Sequence, residues 1–172
     1  MSTSPSTPLI RAARPEDGPA YVELVRGLAA FERLEPPDEA AAARLLEHAF
    51  GPRPRYELLV VELDSRLVGY AVFFETYSTF RALPSLFLED LFVHEAARGR
   101  GIGKALLTTL AQQAAQRGCG RVEGSVLDWN VHAQSFYRSI GARILTEWHL
   151  CRLDGDALLS LAGRRDTADE AG

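Results

Sequence analysis

The segment Leu88–Leu107, LEDLFVHEAARGRGIGKALL, joins an apolar strand to a helix through a turn rich in glycine and arginine. Glycine adopts left-handed backbone that other residues avoid, so several backbone N–H groups of such a turn can point toward one anion. The first N–H groups of the following helix add partial positive charge. The segment therefore predicts a strand–turn–helix unit that can hold a phosphate group.

Two common phosphate-binding motifs do not fit this turn. A Walker loop places Ser or Thr after Gly-Lys, whereas alanine follows Gly103-Lys104. A dinucleotide fingerprint reads GxGxxG, whereas the alternate glycines from Gly99 to Gly103 give GxGxG. What remains is Arg-x-x-Gly-x-Gly, which begins at Arg98. Taken alone, it fits a pyrophosphate site or a tight turn with solvated arginines equally well.

Hydrophobic periodicity and turn residues predict alternating strands and helices over most of the 172 residues. The predicted strands are Leu9–Ala13, Tyr56–Leu63, Leu67–Glu75, Leu86–Val93, Arg121–Val126 and Ile144–Leu153. The predicted helices run from Asp17 to about Phe31 and over Asp38–Ala49, Ile102–Arg117, Asn130–Ile140 and Asp156–Ala162. Asp17 is expected to cap the first helix, and Asp64-Ser65 to turn a hairpin. This order predicts a single mixed α/β domain.

Composition excludes several classes of protein. A net charge of −4 is atypical of nucleic-acid binders, and no apolar segment approaches the roughly 18 residues that span a bilayer. The start of the chain lacks a signal-peptide pattern. Cys119 and Cys151 form no CxxC pair, and the histidines show no zinc spacing. We expect a soluble cytoplasmic protein without a metal and without nucleic-acid or membrane partners, with a domain at residues 9–163 between disordered tails at 1–8 and 164–172.

Several segments in combination point to a family. They are IRAA (10–13), LAAFE (28–32), ETYST (75–79), LEDLFV (88–93), RGRGIG (98–103) and DWN with SFYRSIGA (128–142). The glycine turn, the strand before it and the last of these segments resemble the acetyl-CoA site of the GNAT acetyltransferase superfamily. From Ile10 to Ala162 the chain is similar to the diamine acetyltransferases, which include the spermidine/spermine and thialysine enzymes. The resemblance implies a GNAT fold, in which helices flank a mixed central sheet with a splayed strand pair.

The resemblance implies that acetyl-CoA binds along the third long strand and the glycine turn. Backbone groups of Leu91 and Val93 would meet the acetyl carbonyl and pantetheine, because a bulge in this strand of the fold leaves them free. Asn130 would hold pantetheine or cap the helix that follows it. The implied cofactor-binding residues are Leu91, Phe92, Val93, Arg98, Gly99, Arg100, Gly101, Ile102, Gly103, Lys104, Asn130 and Ala133.

The resemblance assigns the chemistry to two side chains. Tyr137 would protonate the departing thiolate, although from the sequence alone a packed aromatic beside Phe136 is the plainer interpretation. Glu89 would bind the substrate ammonium and accept its proton, directly or through water. Because Glu89 and Asp90 are neighbours on a strand, their side chains are expected on opposite faces. A buried carboxylate paired with an arginine fits Asp90 better than Glu89.

The substrate class follows from the same resemblance. Phe31 and Glu32 fall where the distal charge of the substrate binds, and Glu123 and Asp128 lie near the site. Polyamine-directed members carry Asp-Pro after the tyrosine of the third strand, whereas Ser-Thr follows Tyr77, as in the thialysine-directed type. This departure counts against spermine-like substrates and leaves small amines open.

The expected enzyme is a homodimer that acetylates a primary amine of a small diamine, polyamine or thialysine-like amino acid. The amine would attack acetyl-CoA directly in a ternary complex, because no cysteine lies at a plausible nucleophile position. Two alternatives remain: an acetyltransferase for another amine, such as an antibiotic or a protein N-terminus, and a non-catalytic acyl-CoA-binding regulator.

Overall fold

The computed structural model describes residues 7–163, so most of both predicted tails lies outside the described residues. The chain forms two compact units, one ending at Ser125 and the other beginning at Val126. The elements of the first unit are β1 (Leu9–Ala12), α1 (Gly18–Glu32), α2 (Glu39–Phe50), β2 (Glu57–Leu63), β3 (Arg66–Ser78), β4 (Leu83–Val93), α3 (Ile102–Gln116) and β5 (Val122–Gly124). Those of the second unit are α4 (Val131–Ser139) and α5 (Gly155–Leu161).

A five-stranded sheet with the order β1-β2-β3-β4-β5 organises the first unit. Its neighbouring strands are antiparallel except for β4 and β5, which are parallel. Asp64 and Ser65 turn the β2–β3 hairpin with φ of 52° and 59°, as a two-residue type I′ turn requires. The mixed sheet and this hairpin confirm the sequence predictions. Strand β5 is shorter than the predicted Arg121–Val126, because its pairing with β4 ends at Gly124.

Helices cover both faces of the sheet, because successive strand residues point to opposite faces and both sets are apolar. On one face, Ile102, Leu106 and Leu110 of α3 lie in a core cluster with strand residues. On the other face, Tyr21 and Leu24 of α1 do the same. The spacing of three or four residues between these side chains is typical of a helix with one buried face.

The first two helices begin differently. Asp38 caps α2, because its carboxylate accepts a hydrogen bond from the Ala41 N–H at 2.7 Å. Asp17 is the N-cap residue of α1, as predicted, but its side chain makes no capping hydrogen bond to that helix. Both oxygens of Asp17 instead accept hydrogen bonds from the Arg11 guanidinium, at 2.7 and 2.9 Å. This bidentate pair makes two charge-assisted hydrogen bonds to one guanidinium.

In the second unit, α4 confirms a predicted helix, and Gly141 follows it with a left-handed φ of 89°. Residues 144–153 form neither strand nor helix, so the prediction of a last strand there is wrong. Apolar side chains of this segment are exposed, Trp148 by 72% and Leu150 by 78%. A strand requires a neighbouring strand with which to pair, and apolar residues in the sequence do not supply one.

Candidate active site

Strand β4 contains one residue that its partner strand does not match. Val72 of β3 lies opposite Asp90, and Phe73 lies opposite Leu88, which leaves Glu89 as an extra residue. An irregularity that sets two residues of one strand against one residue of the next is a β-bulge. The bulge that the family resemblance implied for this strand is therefore present at Glu89.

The bulge reverses the alternation of side chains along β4. Leu88 lies in the core cluster on the α3 side, whereas Phe92 packs on the α1 side beside Tyr70. Oδ2 of Asp90 accepts a hydrogen bond from the Tyr70 hydroxyl at 3.3 Å, which places Asp90 on the α1 side as well. Glu89 itself is exposed. Of the two carboxylates, Asp90 is therefore the largely buried one. The side chain that donates a hydrogen bond to it is a tyrosine, whereas an arginine was expected.

Three carboxylates of the first unit act on one another near the bulge. The pKa of Asp90 is raised to about 6, chiefly by burial and then by the negative charges of Glu89 and Glu32. The hydrogen bond from Tyr70 lowers the pKa of Asp90 and offsets part of that rise. Burial also raises the pKa of Glu32. A cation that entered this group would reduce the repulsion between the carboxylates, so the group is suited to an ammonium ion.

The glycine turn has a backbone conformation that glycine adopts most readily. Gly99 and Gly101 both have φ of 75°, and no heavy atom lies within 4 Å of a Cβ built on either. Glycine is therefore required there for conformation and not for space. Gly101, the residue before α3, has no side chain, so it does not cap the first N–H groups of that helix. Together with the exposed Arg100 and Lys104, these groups can bind a phosphate anion.

Arg98, the first residue of the turn motif, is bound to the end of β4. Its Nε donates a hydrogen bond to the Val93 carbonyl at 2.9 Å. Its guanidinium lies over the rings of Phe31 and Phe92, 5.2 and 5.8 Å from their centroids. Arg98 thus links the glycine turn to Phe31, a residue predicted to bind substrate.

In the second half of β4, from Glu89 to Val93, one edge of the backbone faces away from β3. Within residues 7–163, β5 pairs with β4 only as far as Leu88, opposite Gly124. The His94 N–H donates to β3, and backbone groups alternate between the two edges of a strand, so those of Leu91 and Val93 point away from β3. The pairing with β5 ends at this point, and the splay of the strand pair stays a prediction. Donation by the Leu91 and Val93 amides to the acetyl carbonyl or the pantetheine arm stays a prediction.

Several residues predicted to bind the cofactor have other contacts. The Phe92 side chain is buried beside Tyr70, and its backbone lies opposite Tyr70 in the β3–β4 ladder. The Ile102 side chain lies in the core on the α3 side. The Ala133 N–H donates to the side chain of Asn130 at 3.0 Å, so Asn130 is a helix cap, which is one of its two predicted roles. Cofactor binding by these residues stays a prediction.

Three further residues predicted for the site have these surroundings. The Tyr137 ring on α4 lies 5.5 Å from that of Phe136, and burial raises the pKa of the Tyr137 phenol. Glu123 on β5 forms an ion pair with Nε of Arg121 at 2.9 Å. Asp128 is exposed. Their roles in catalysis and substrate binding stay predictions, and Glu123 already has a cationic partner within its own strand region.

Sequence reasoning gave Tyr70 no role and treated Asp90 only as a buried ion. A tyrosine in an apolar strand is typical of core packing, so the sequence did not distinguish Tyr70. The contact between these residues depends on cross-strand register. In a regular strand Asp90 would face the α3 side with Leu88, and hydrophobic periodicity does not show the bulge that moves it.

Among residues 7–163, no group of three or more His, Cys, Asp or Glu side chains could hold a metal ion. No helix between these limits is both long enough and apolar enough to cross a membrane. Cys119 and Cys151 are both free thiols.

Several known proteins similar to this chain are acetyltransferases. The acetyltransferase (GNAT) family model matches residues 23–142. A thialysine N-epsilon-acetyltransferase of Bos taurus is 35% identical over 167 residues, covering 91% of this chain and 98% of the relative. An L-ornithine N5-acetyltransferase of Arabidopsis thaliana is 34% identical over 197 residues, covering 88% of this chain and 86% of the relative. Both names specify a nitrogen as the acetyl acceptor.

Solved structures share the fold. The integron cassette protein VCH_CASS6 of V. cholerae superposes with a TM-score of 0.80 at 25% identity, covering 90% of this chain and 97% of its own. An aminoglycoside N-acetyltransferase in complex with CoA has a TM-score of 0.72 at 19% identity, covering 88% of this chain and 98% of its own. These similarities and the mixed five-stranded sheet confirm the predicted fold class.

Proposed function

The chain belongs to the acetyltransferase (GNAT) family, and on that premise we propose that it acetylates a small amine with acetyl-CoA. That the chain is an N-acetyltransferase follows from relatives that match most of its length. The proposed acceptor is the primary amine of a small diamine, polyamine or thialysine-like amino acid. The proposed mechanism is direct attack by that amine in a ternary complex.

The bulge at Glu89 is the observation that carries this proposal. It presents an exposed carboxylate where the β4–β5 pairing ends, next to Asp90, which is itself within electrostatic reach of Glu32. Small amines are ammonium ions at neutral pH, because the pKa of an alkylamine lies near 10. Carboxylates attract that cation, and they accept the proton that it must lose before its nitrogen can attack.

The glycine turn fits the pyrophosphate of acetyl-CoA. Its left-handed glycines, the uncapped N-terminus of α3 and the exposed Arg100 and Lys104 form a site for a multiply charged anion. The outward amides of Leu91 and Val93 would donate to the acetyl carbonyl and the pantetheine arm. When bound, acetyl-CoA supplies an acetyl group that is activated as a thioester.

The chain's own residues would then direct the transfer. Glu89 binds the ammonium and takes one of its protons. The nitrogen lone pair bonds to the acetyl carbon as the bond from that carbon to sulfur breaks, and the Leu91 amide stabilises the negative charge that develops on oxygen. Tyr137 gives its phenolic proton to the departing thiolate, and the Tyr137 phenolate that remains takes the second proton lost by the nitrogen. Burial raises the pKa of Tyr137, so its phenol is protonated at neutral pH.

Thiol release from acetyl-CoA across a panel of amines tests the proposal. The panel contains thialysine, ornithine, lysine, putrescine, spermidine and an aminoglycoside. We expect release that requires an amine and that is fastest with a small diamine or an amino acid with a side-chain amine. Release with the aminoglycoside alone contradicts the proposed substrate class. Binding of acetyl-CoA without release for any amine contradicts the proposed activity and supports a regulatory role.

We also propose a homodimer in the cytoplasm, on the strength of the family resemblance. Light scattering from the purified protein checks the oligomeric state. A mass near twice the chain's 18.9 kDa is expected, and a mass of one chain at micromolar concentration contradicts the dimer.

A further inference from the structure

A buried tyrosine on β3, Tyr70, contacts the carboxylate behind the bulge. Its side chain is 0% exposed, and its hydroxyl donates to Oδ2 of Asp90 at 3.3 Å. The ring of Tyr21 meets that of Tyr70 edge-on at 5.2 Å, and the ring of Phe92 lies 6.2 Å away. Because the packed interior leaves such a ring no room to turn, these contacts fix the direction of the Tyr70 hydroxyl.

The neighbouring tyrosines direct their hydroxyls elsewhere. The Tyr21 hydroxyl donates to the Tyr56 hydroxyl at 3.3 Å, and Tyr56 donates to the Leu45 carbonyl of α2 at 2.7 Å. Of the three tyrosines, Tyr70 is therefore the one that holds Asp90.

The contact between Tyr70 and Asp90 exists because of the bulge. In a regular strand Asp90 would face the α3 side, out of reach of a tyrosine on the α1 side. The extra residue, Glu89, turns Asp90 to the α1 side while remaining exposed itself. One local irregularity thus sets an exposed and a largely buried carboxylate next to each other.

We propose that Tyr70 is a positioning residue for removal of the substrate proton. Its hydroxyl holds Asp90 beside Glu89, where Asp90 accepts the proton that Glu89 has taken from the ammonium. An N–H bond of the ammonium breaks, the electron pair stays on nitrogen, and the proton passes to Glu89 and then to Asp90. This inference rests on the proposed function. It adds Asp90 as the group that holds the proton while the acetyl group is transferred.

The surroundings of Asp90 set the pH at which it accepts a proton. The titratable groups that face it are Glu89 on β4, Glu32 and Tyr21 on α1, Tyr70 on β3 and Tyr56 before β2. Burial and the two glutamates raise the pKa of Asp90, and the hydroxyl of Tyr70 lowers it. The tyrosines carry no charge at neutral pH, because burial raises their pKa values. Loss of the Tyr70 hydroxyl therefore raises the pKa of Asp90 further.

Tyr70→Phe removes the hydroxyl and keeps the ring. The measurement is the pH dependence of kcat/KM for thiol release with an accepted amine, whose acid limb Asp90 would set. We expect this limb to move by about half a unit to one unit toward higher pH, because ionised Asp90 loses a hydrogen-bond donor. The KM for acetyl-CoA is expected to stay unchanged.

Tyr56→Phe is the matched control, because it removes a buried hydroxyl that bonds to the Leu45 carbonyl and not to Asp90. Both variants are expected to unfold at lower urea concentration than the wild type, but the acid limb moves in Tyr70→Phe alone. An unmoved limb in Tyr70→Phe, or equal shifts in the two variants, overturns the inference and leaves Tyr70 a structural residue.

A second readout separates this inference from the proposed function. The ¹³C chemical shift of the Asp90 carboxyl carbon follows its titration without turnover, and we expect a midpoint near pH 6 in the wild type and a higher one in Tyr70→Phe. A wild type that releases no thiol with any amine contradicts the proposed function. If the wild type releases thiol but its Asp90 titrates at the same pH as in Tyr70→Phe, the role of Tyr70 is contradicted and the proposed function is not.

Discussion

The two halves of strand β4 contribute different things to the protein. As far as Leu88 the strand pairs with β3 and β5, and its side chains fill the core. From Glu89 onward the strand pairs with β3, while an exposed carboxylate and outward backbone amides occupy the other edge. One extra residue separates a structural half from a half that can bind ligands and accept protons.

The two halves also differ in what they do for stability. Burial of leucine side chains in the first half stabilises the fold, at about 1.5–3 kcal/mol for each side chain. Burial of the Asp90 carboxylate in the second half destabilises it, because a charged group is removed from water. Substitutions in the first half should therefore change stability, and those in the second half should change chemistry.

Glu89→Gln is expected to have the largest effect, and that effect is on turnover. Glutamine keeps the bulge but neither carries the charge nor accepts a proton, so turnover with a small amine should fall about 10²–10⁴-fold. The free energy of unfolding should change by less than about 0.5 kcal/mol, because Glu89 is exposed. Glu47→Gln, at an exposed position of α2, removes the same charge and should preserve turnover. Full turnover in Glu89→Gln would exclude Glu89 from the chemistry.

Leu88→Ala, one residue earlier, should have the opposite signature. Leu88 is 5% exposed in the core, so truncation should lower the free energy of unfolding by about 2–5 kcal/mol, measured by urea denaturation. The folded fraction should turn over within a few-fold of the wild-type rate. A loss of stability below about 1 kcal/mol would mean that the first half of β4 is not a structural strand.

Asp90→Asn should stabilise the protein in a pH-dependent way. The folded-state pKa of Asp90, about 6, lies above its ordinary value of 3.8, so ionisation of Asp90 opposes folding. This penalty is absent below about pH 4, increases up to pH 6 and is complete above it. Asparagine removes the penalty, so the variant should be more stable than the wild type by about 1–3 kcal/mol at pH 8. A stability difference that does not shrink toward pH 4 would contradict the burial of a titrating Asp90.

Gly124→Ala should have the smallest effect, at the point where the β4–β5 pairing ends. A Cβ there would lie 2.9 Å from the Leu88 carbonyl oxygen, so the two strands must move apart slightly. We expect a loss of about 1–2 kcal/mol in the free energy of unfolding. Amide exchange of Leu86, which donates to the Arg121 carbonyl at 3.1 Å, should become faster. Unchanged exchange would show that the pairing does not depend on this close approach.

Local signals in the sequence predicted the elements around the site. The apolar strand, the alternate glycines and the helical stripe of α3 predicted the unit from Leu88 to Leu107, and each signal acts over a few residues. The strand predicted at Ile144–Leu153 was wrong, because pairing depends on a partner and not on apolar residues alone.

Register and side-chain direction could not be read from the sequence in the same way. Regular alternation would place the Asp90 side chain on the same face of the sheet as Leu88. Only the bulge brings it to Tyr70 on the other face. The contact of Arg98 with Phe31 likewise depends on how α1 packs against β4, and no local pattern encodes it.

The pH profile of kcat/KM for the wild type, with an accepted amine, tests most directly whether the second half of β4 accepts the substrate proton. If its carboxylates take that proton, kcat/KM decreases as the pH is lowered through about 6, because Asp90 becomes protonated there. A kcat/KM that instead rises with pH up to the amine's own pKa near 10, with no inflection near pH 6, would show that the enzyme takes neutral amine from solution. That result would contradict the proton-accepting role of the bulge.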